Sequence, residues 1–241
     1  LDVKCGSGSF NPTRAEAEKL ADALVKVGKH AGLRTYAAIT DMEQPLGRMV
    51  GNALEVQEAI EVLSVPEESL APNTRRFREL VRYFAALALR VSGLSPSVKE
   101  AMDMVDEHLS SGLALAKANE WIAAQGATVK FGEGDWLVKS PFQAQVKAKQ
   151  NGYITKVDAR MIGEIAIDIG AGRKTKADEL DLAAGMEIHV SVGDMIVQGQ
   201  PLVTVHCASE ELFLVVASRF DQVFATQQAP LPPRPILVRP A

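Results

Sequence analysis

Hydrophobic and polar positions repeat with a helical period through the first half of the chain. Within residues 13–30, Ala17, Leu20 and Leu24 recur at spacings of three and four, which predicts an amphipathic helix. The chain opens on a short run typical of a buried strand, and a second β-forming run follows at residues 35–40. Strand, helix and strand therefore alternate, and this order favours a parallel α/β sheet with right-handed crossovers.

Helix start signals refine this prediction. Thr13 and Glu16 have the spacing of a capping box, in which each side chain satisfies a backbone N–H at the start of the helix. Asn73 with Thr74 can cap a second helix, and Ser97 can cap a third. The helices predicted downstream span residues 75–91, 97–109 and 113–124.

From about residue 131 the period changes to the short alternations of β-strands. Strands are predicted at residues 145–149, 152–157, 164–169, 186–190 and 202–206, several of them separated by glycine-centred turns. We therefore divide the chain into four parts: part of an α/β domain (residues 1–126), a connection (127–140), a β-rich module (141–226) and a proline-rich tail (227–241). We expect the tail to be extended, packed on the surface or frayed.

Residues 192–202 of the β-rich module resemble the turn-and-strand pattern of biotinyl and lipoyl carrier domains. A carrier needs a modifiable lysine on an exposed hairpin, usually beside a methionine, and no Met-Lys pair occurs in the chain. The resemblance therefore implies a related barrel-like fold without carrier chemistry.

Residues 40–58 form the most site-like stretch of the sequence. A predicted strand ends in a loop that contains Pro45 and Gly47, and Gly51 with Asn52 then opens an amphipathic helix. In open α/β sheets, ligands bind at the carboxyl ends of the strands, where this loop is predicted to lie.

The residues of this stretch also resemble a known family. Asp-Met-Glu-Gln-Pro-Leu-Gly, followed by Val-Gly-Asn-Ala-Leu-Glu-Val, is similar to the signature of the thymidine and pyrimidine-nucleoside phosphorylases. Two further segments extend the likeness over most of the chain: Asp-Val-Lys-Cys-Gly-Ser-Gly-Ser-Phe near its start, and Gly-Ala-Gly-Arg with the following Val-Gly-Asp and Pro-Leu in the β-rich module.

Composition and charge exclude several other classes of protein. The chain is 47% hydrophobic over 241 residues, enough for a substantial core. Its net charge of −4 and the lack of a Lys and Arg cluster in the sequence give no reason to expect nucleic acid or an anionic membrane as a partner. No apolar run approaches the roughly 18 residues of a membrane span. Cys5 and Cys207 lie far apart, so we expect free thiols in a reducing cytoplasm.

Two glycine-containing segments have both a functional and a structural interpretation. Residues 6–10 could bring backbone N–H groups close to an anion, or could form a tight turn between a strand and a helix. Residues 170–175, with Arg173 and Lys174, could bind an anion, or could form a solvated hairpin. In both cases the structural interpretation is favoured.

The sequence contains no recognisable catalytic constellation. No Ser-His-Asp, His-Glu-x-x-His or paired-carboxylate arrangement follows from residue spacing. We expect His30 and His108 to be capping or solvated residues at helix ends. His189 and His206 fall in strand patterns typical of packed or capping residues rather than metal ligands.

The resemblance implies an activity that the residue patterns do not. Members of the family are pentosyltransferases of nucleotide salvage, which use phosphate to cleave the N-glycosidic bond of a pyrimidine nucleoside and release the base and a pentose 1-phosphate. In the family, a Lys-Ser phosphate motif and an Arg and Lys that hold the base lie in the amino-terminal half. This chain has no counterpart of them and starts at Leu1 without Met, so we expect it to be a carboxyl-terminal portion that is inactive alone. No catalytic residue is assigned, and the substrate-binding residues are unknown.

The resemblance also implies a potassium ion. Matching the motif residue by residue assigns two backbone carbonyl ligands to Leu46 and Met49 and a carboxylate ligand to Glu58. Oxygen ligands of this kind suit a hard cation. A smaller residue than Met49 is usual at that position of the family, which has little effect if only the carbonyl binds.

Two other functions compete with a phosphorylase. One is a phosphoribosyltransferase of similar fold, such as the type that uses anthranilate, although the β-rich module argues against it. The other is a non-catalytic scaffold or binding protein. For the phosphorylase, the resemblance implies a cytoplasmic homodimer with a pyrimidine nucleoside and phosphate as substrates.

Overall fold

The computed structural model describes all 241 residues, which form two compact units. The first unit comprises residues 1–54 and 139–241, and the second comprises residues 55–138. None of the helices in either unit has the length and apolar character needed to cross a membrane.

The first unit begins with the predicted strand, helix and strand. Strands β1 (Asp2–Cys5) and β2 (Ala38–Asp41) pair in parallel, and helix α1 (Arg14–His30) connects them. The capping box of Thr13 and Glu16 is present at the start of α1. Small and apolar residues of the three elements form one buried cluster: Val3, Cys5, Ala17, Ala21, Ala37 and Ile39. The predicted α/β arrangement is confirmed, with β2 starting three residues later than expected because Tyr36 is exposed.

The proline-rich tail ends in a strand. Strand β10 (Leu237–Arg239) pairs antiparallel with β2, so the sheet order is β1-β2-β10. Ile236 is buried and Val238 packs against the cluster of α1 and β2. The tail was expected to be extended, packed on the surface or frayed; its residues 237–239 are extended and pair with β2.

The remainder of the first unit is the β-rich module. Its strands are β3 (Met49–Val50), β4 (Phe142–Lys147), β5 (Gly152–Val157), β6 (Gly185–Ile188), β7 (Met195–Ile196), β8 (Pro201–Cys207) and β9 (Phe224–Gln227). They form a four-stranded sheet of order β3-β6-β8-β4 and a three-stranded sheet of order β7-β5-β9. A core that includes Ile154, Met186 and Val203 lies within this module. These small sheets do not close into a barrel, so the barrel-like detail of the expected fold is not confirmed.

One predicted strand of this module is a helix. Residues 164–169 belong largely to α6 (Ala159–Asp168), whose first turn is capped by the Asp158 carboxylate, which accepts a hydrogen bond from the Met161 N–H. Ile162, Ile165 and Ile169 recur every three or four residues and are all buried. Residues 164–169 alone span less than two helical turns, so they do not show this period. Two short helices, α7 (Glu210–Ala217) and α8 (Phe220–Val223), follow β8.

The second unit is helical. Helix α2 (Asn52–Ser64) starts just before it, and the unit continues with a short 3-10 helix (Glu67–Ser69), α3 (Pro72–Ser92), α4 (Val98–Ser110) and α5 (Leu113–Ala124). Ser97 caps α4 as predicted. Residues 127–140, which were expected to form a connection, consist of turns and irregular structure.

The predicted start of α3 was wrong by several residues. Asn73 and Thr74 lie inside the first turn, and the capping position is Ala71, which offers no side-chain hydrogen bond. Pro72 starts the helix because its missing N–H would be unsatisfied there in any case. Thr74 is therefore free to make a different, buried contact with α2.

Candidate functional site

Two loops follow the carboxyl ends of the parallel strands β1 and β2 and lie side by side. We call residues 6–10 the first loop and residues 42–48 the second loop. The Gly8 N–H donates to the Met42 carbonyl over 2.9 Å, and the Met42 N–H donates to the Cys5 carbonyl over 2.7 Å. The loops thus meet at the edge of the sheet where α/β proteins bind ligands.

Gly6 lets the two loops approach each other. Its φ is +132°, and a Cβ atom at this position would lie 2.6 Å from the Glu43 nitrogen. Because no other residue fits such a close contact in this conformation, the glycine is required by the packing of the loops.

The first loop uses its own backbone N–H groups internally. Gly6 donates to the Asn11 carbonyl, and Ser9 donates to the Gly6 carbonyl, each over 3.0 Å. With the Gly8 N–H bonded to Met42, these three amides are not available to an anion. The structure favours a tight strand-to-helix turn over an anion-binding loop.

Phe10 is the residue of the first loop that sequence reasoning overlooked. Its side chain is fully exposed, with a relative accessibility of 104%. A phenylalanine that contacts nothing in its own fold presents a flat apolar face at the carboxyl edge of the sheet. Its position after the Gly-rich turn was visible in the sequence, but its exposure was not.

The second loop is attached to the β-rich module at three points along its length. The Glu43 carbonyl accepts a hydrogen bond from the Ala159 N–H over 3.1 Å. The buried Gln44 side chain accepts a hydrogen bond from the Val192 N–H over 2.9 Å. The Arg48 carbonyl accepts from the Ile188 N–H over 2.7 Å. The module therefore fixes the conformation of the loop.

An ion pair and a short pair of antiparallel strands also attach the second loop to the β-rich module. Arg48 pairs with the carboxylate of Glu187 on β6. Directly after Arg48, β3 pairs antiparallel with β6, with Met49 opposite Glu187. The second loop therefore leads into the four-stranded sheet of the module.

Asp41, the last residue of β2, is held by the tail. Its carboxylate oxygen Oδ1 accepts hydrogen bonds from Nε of Arg234 over 3.1 Å and from Nη2 over 2.8 Å. The Asp41 side chain is only 1% exposed. The hydrogen bond to Asp41 is the main cause that raises the pKa of Arg234 above its usual range, so the guanidinium stays charged. Spacing along the sequence gave no signal for a pair 193 residues apart.

Cys5 lies at the end of β1 and is not a nucleophile. Burial, and after it the carboxylates of Asp41 and Glu43, raise the pKa of the Cys5 thiol. A thiol must ionise to attack a substrate, so this environment keeps Cys5 inert. Cys5 and Cys207 are both free and buried.

The three predicted potassium ligands occupy different elements. Leu46 is half-buried in the second loop, and Met49 is buried in β3. Glu58 is buried in α2, where its Oε1 accepts a hydrogen bond from the Thr74 hydroxyl over 2.7 Å. Two carbonyl oxygens and one carboxylate are ligand types that suit a hard cation.

The glycine-rich segment of residues 170–175 forms turns and bends, and neighbouring carboxylates bind several of its polar groups. Asp178 accepts hydrogen bonds from the Lys174 and Thr175 N–H groups over 2.8 and 2.9 Å. Asp168 forms ion pairs with both Lys174 and Arg219, and the hydrogen bond from Lys174 is the main cause that lowers the Asp168 pKa. The structure favours a solvated surface segment over an anion site, but as turns and bends after α6 and not as the expected hairpin.

The four histidines occupy structural positions and do not form a metal or catalytic site. His30 and His108 each bond through Nδ1 to the backbone carbonyl four residues earlier, at exposed helix ends. His189 Nε2 lies 2.8 Å from the Thr204 hydroxyl. Nε2 of His206 is buried and has no hydrogen-bond partner. No group of three or more His, Cys, Asp or Glu residues is arranged to hold a metal.

Comparison with known proteins agrees with this arrangement. A family model described as the a/b domain of a glycosyl transferase family matches residues 2–115, which include both loops. A second model, the carboxyl-terminal domain of pyrimidine nucleoside phosphorylase, matches residues 153–226 in the β-rich module. The first match identifies residues 2–115 as similar to the a/b domain of this family.

Individual proteins that are similar to this chain narrow the assignment to one family. Pyrimidine-nucleoside phosphorylases from three Staphylococcus aureus strains, USA300, NCTC 8325 / PS 47 and COL, are each 37% identical to this chain over 217 residues. The aligned part is 90% of this chain and 49% of each relative, so the chain spans about half the length of these relatives. The chain belongs to the pyrimidine-nucleoside phosphorylase family.

Proposed function

We propose that the chain takes part in the phosphorolysis of pyrimidine nucleosides. In this reaction a phosphate oxygen bonds to C1′ of the pentose while the bond from C1′ to the base nitrogen breaks. The base leaves with the electron pair and takes up a proton, and the other product is a pentose 1-phosphate. The observation that supports this proposal is the pair of loops at the carboxyl ends of β1 and β2, which carry the family signature.

The chemistry of the described residues agrees with a positioning role. The buried Cys5 is not activated, and the exposed Phe10 ring offers a flat face on which a pyrimidine can stack. Holding phosphate and nucleoside in line, and stabilising the charge on the leaving base, provide most of the rate acceleration in such a transfer. We therefore propose that Phe10 stacks on the pyrimidine base and that the second loop determines the shape of the site.

A potassium ion is the proposed cofactor. The carbonyls of Leu46 and Met49 and the carboxylate of Glu58 would hold it, and its charge would support the conformation of the second loop. Glu58 is buried and supplies a carboxylate, a ligand type that suits a hard cation.

The family also suggests the binding partners and the cellular location of this protein. We propose a homodimer in the cytoplasm, with a pyrimidine nucleoside and phosphate as substrates and neither nucleic acid nor a membrane as a partner. The match of the β-rich module to the phosphorylase carboxyl-terminal domain supports a phosphorylase rather than a phosphoribosyltransferase or a scaffold. We also propose that this module is a distant, barrel-like relative of the biotinyl and lipoyl domains that lacks their chemistry.

The test is phosphate-dependent release of uracil or thymine, followed by ultraviolet absorbance. We expect no release by the 241-residue chain alone, because the family's phosphate and base motifs are not in its sequence. We expect release by a chimera in which the amino-terminal half of the Staphylococcus aureus phosphorylase precedes Leu1.

Two controls make the result decisive. The intact Staphylococcus aureus enzyme sets the reference rate, and a chimera with Phe10→Ala should lose affinity for the nucleoside while remaining folded. A folded chimera with no activity would contradict the proposal, and turnover by the chain alone would contradict our expectation that it lacks the catalytic half.

A further inference from the structure

A basic cavity lies at the amino end of β2, whereas the two loops follow the carboxyl ends of β1 and β2. The cavity has a volume of about 790 Å³. Its walls come from the last turns of α1, the connection to β2 and the end of the chain after β10. Four basic residues line it: Lys26, Lys29, Arg34 and Arg239.

Part of this positive charge is not matched by carboxylates of the cavity wall. Arg239 pairs with Asp22, with its terminal nitrogens Nη1 and Nη2 each 3.1 Å from Oδ1 of Asp22. The α-carboxylate of Ala241 is the second carboxylate of the wall. Lys26, Lys29 and Arg34 make no ion pair. Four cationic side chains and two carboxylates therefore line one cavity in a chain whose net charge is −4. A concave surface of one sign attracts ligands of the opposite sign.

The cavity also offers apolar surface. Tyr36 is 52% exposed and Leu33 is 64% exposed, and both line the wall. The volume falls within the range of roughly 300–1,000 Å³ that is usual for sites of small organic ligands. Inorganic phosphate would occupy only a small part of it, whereas an aromatic ring joined to a phosphate would use both the cations and the tyrosine ring.

We propose that this cavity binds an organic phosphate of nucleotide size. The phosphate groups would be held by Lys26, Lys29 and Arg34, and the ring would lie against Tyr36 and Leu33. The site goes beyond the proposed phosphorolysis, since its residues belong to neither loop.

The lysines also have a simpler explanation. Lys29 lies in the last turn of α1, where a positive charge offsets the partial negative charge of the helix end. In that case neutral substitutions would lower the stability of the helix slightly and leave ligand binding unchanged. Measuring both stability and affinity separates the two explanations.

The experiment measures binding of ADP to the 241-residue chain by calorimetry, with adenosine and inorganic phosphate as separate probes. We expect ADP to bind more tightly than either probe, and its affinity to fall as the ionic strength rises. Equal affinity for ADP and adenosine would overturn the role of the cations. Equal affinity for ADP and phosphate would overturn the role of the ring.

Two variants in the cavity and one control outside it test where ADP binds. Lys26→Gln and Arg34→Gln should each weaken ADP binding about threefold to fivefold, as expected for exposed charges. Lys19→Gln, on the same helix but outside the cavity, should leave the affinity unchanged. Since all three side chains are exposed, we expect the variants to fold, which circular dichroism checks.

A second measurement identifies the residues that respond. Amide shifts in nuclear magnetic resonance spectra should change on ADP addition at residues 33–37. Changes confined to the two loops, or wild-type affinity in both cavity variants, would overturn the proposal. Tighter binding of a short oligonucleotide than of ADP would also contradict it, because it would indicate an extended polyanion surface instead.

Discussion

Arg234 neutralises Asp41 through two hydrogen bonds of 3.1 and 2.8 Å to a single carboxylate oxygen. Asp41 ends β2 and opens the second loop, while Arg234 lies just before β10 in the tail. One ion pair therefore links the end of the chain to the loop that carries the family signature.

Arg234→Gln should destabilise the first unit. The substitution removes the ion pair made by the nearly inaccessible Asp41 carboxylate, and the partial exposure of Arg234 limits the loss to about 1–3 kcal/mol. Urea unfolding measures this loss. Hydrogen exchange should also show faster exchange of amides in residues 42–47.

Arg239→Gln is the matched control for this prediction. Arg239 lies in the same tail but pairs with Asp22, which is 60% exposed, so its loss should cost less than about 1 kcal/mol. If both variants lost the same stability and left exchange of the loop amides unchanged, the link between Arg234 and the loop would have no energetic role.

Gly51→Ala should be strongly destabilising. Gly51 has a φ of +123°, and a Cβ there would lie 2.4 Å from the Ala184 carbonyl oxygen. Backbone strain and this clash together should cost about 2–4 kcal/mol. Gly199→Ala provides the comparison, because Gly199 has a φ of +85° but open space around it. Thermal unfolding of the two variants should therefore differ, and equal losses would show that the close approach to Ala184 relaxes at little cost.

His206 should make stability depend on pH in the mildly acidic range. Burial is the main cause that lowers the pKa of His206, and His189 also lowers it, whereas Glu187 raises it. The unfolded chain therefore binds the proton more readily. The stability contributed by neutral His206 is full above about pH 6.5 and falls as the pH drops through the folded pKa, by at most about 1.4 kcal/mol per pH unit.

His206→Gln should remove this part of the pH dependence. Urea unfolding at several pH values between 7 and 5, as a rough window around the histidine pKa, would give a flatter profile for the variant than for the wild type. Val205→Ala, in the adjacent core position, should lower stability but keep the wild-type slope. An unchanged slope in His206→Gln would contradict the prediction.

Potassium should raise the melting temperature of the chain, because a ligand that binds only the folded state stabilises it. Glu58→Gln should abolish this response, since the amide lacks the negative charge that attracts the cation. Glu55→Gln, an exposed position on the same helix, should keep it. Choline chloride at equal ionic strength separates specific binding from screening. A potassium response that persists in Glu58→Gln would exclude this carboxylate as a ligand.

Local signals in the sequence determined much of the fold. The capping box of Thr13, the cap at Ser97 and the alternation of strand and helix near the start all depend on residues within a few positions of each other, and each was confirmed. Helix α6 was not predicted because residues 164–169 alone are too short to show the helical spacing of its buried isoleucines.

Features that depend on distant residues could not be predicted from patterns. The strand β10 forms because a partner strand about 200 residues earlier offers an open edge, and short apolar runs do not encode that choice. The same holds for the hydrogen bond from Val192 to the Gln44 side chain, and for the cavity whose basic residues come from a helix, a connection and the tail. The sequence predicts the second loop as a candidate site but does not indicate which distant residues fix its shape.

The placement of β10 next to β2 has a consequence for synthesis on the ribosome. Domains generally begin to fold from their amino terminus as the chain emerges. Here β1 and β2 are translated well before Leu237–Arg239, so their sheet gains its third strand only after these later residues have been made. A nascent chain halted shortly before Arg234 would therefore present an open β2 edge to chaperones or to other nascent chains.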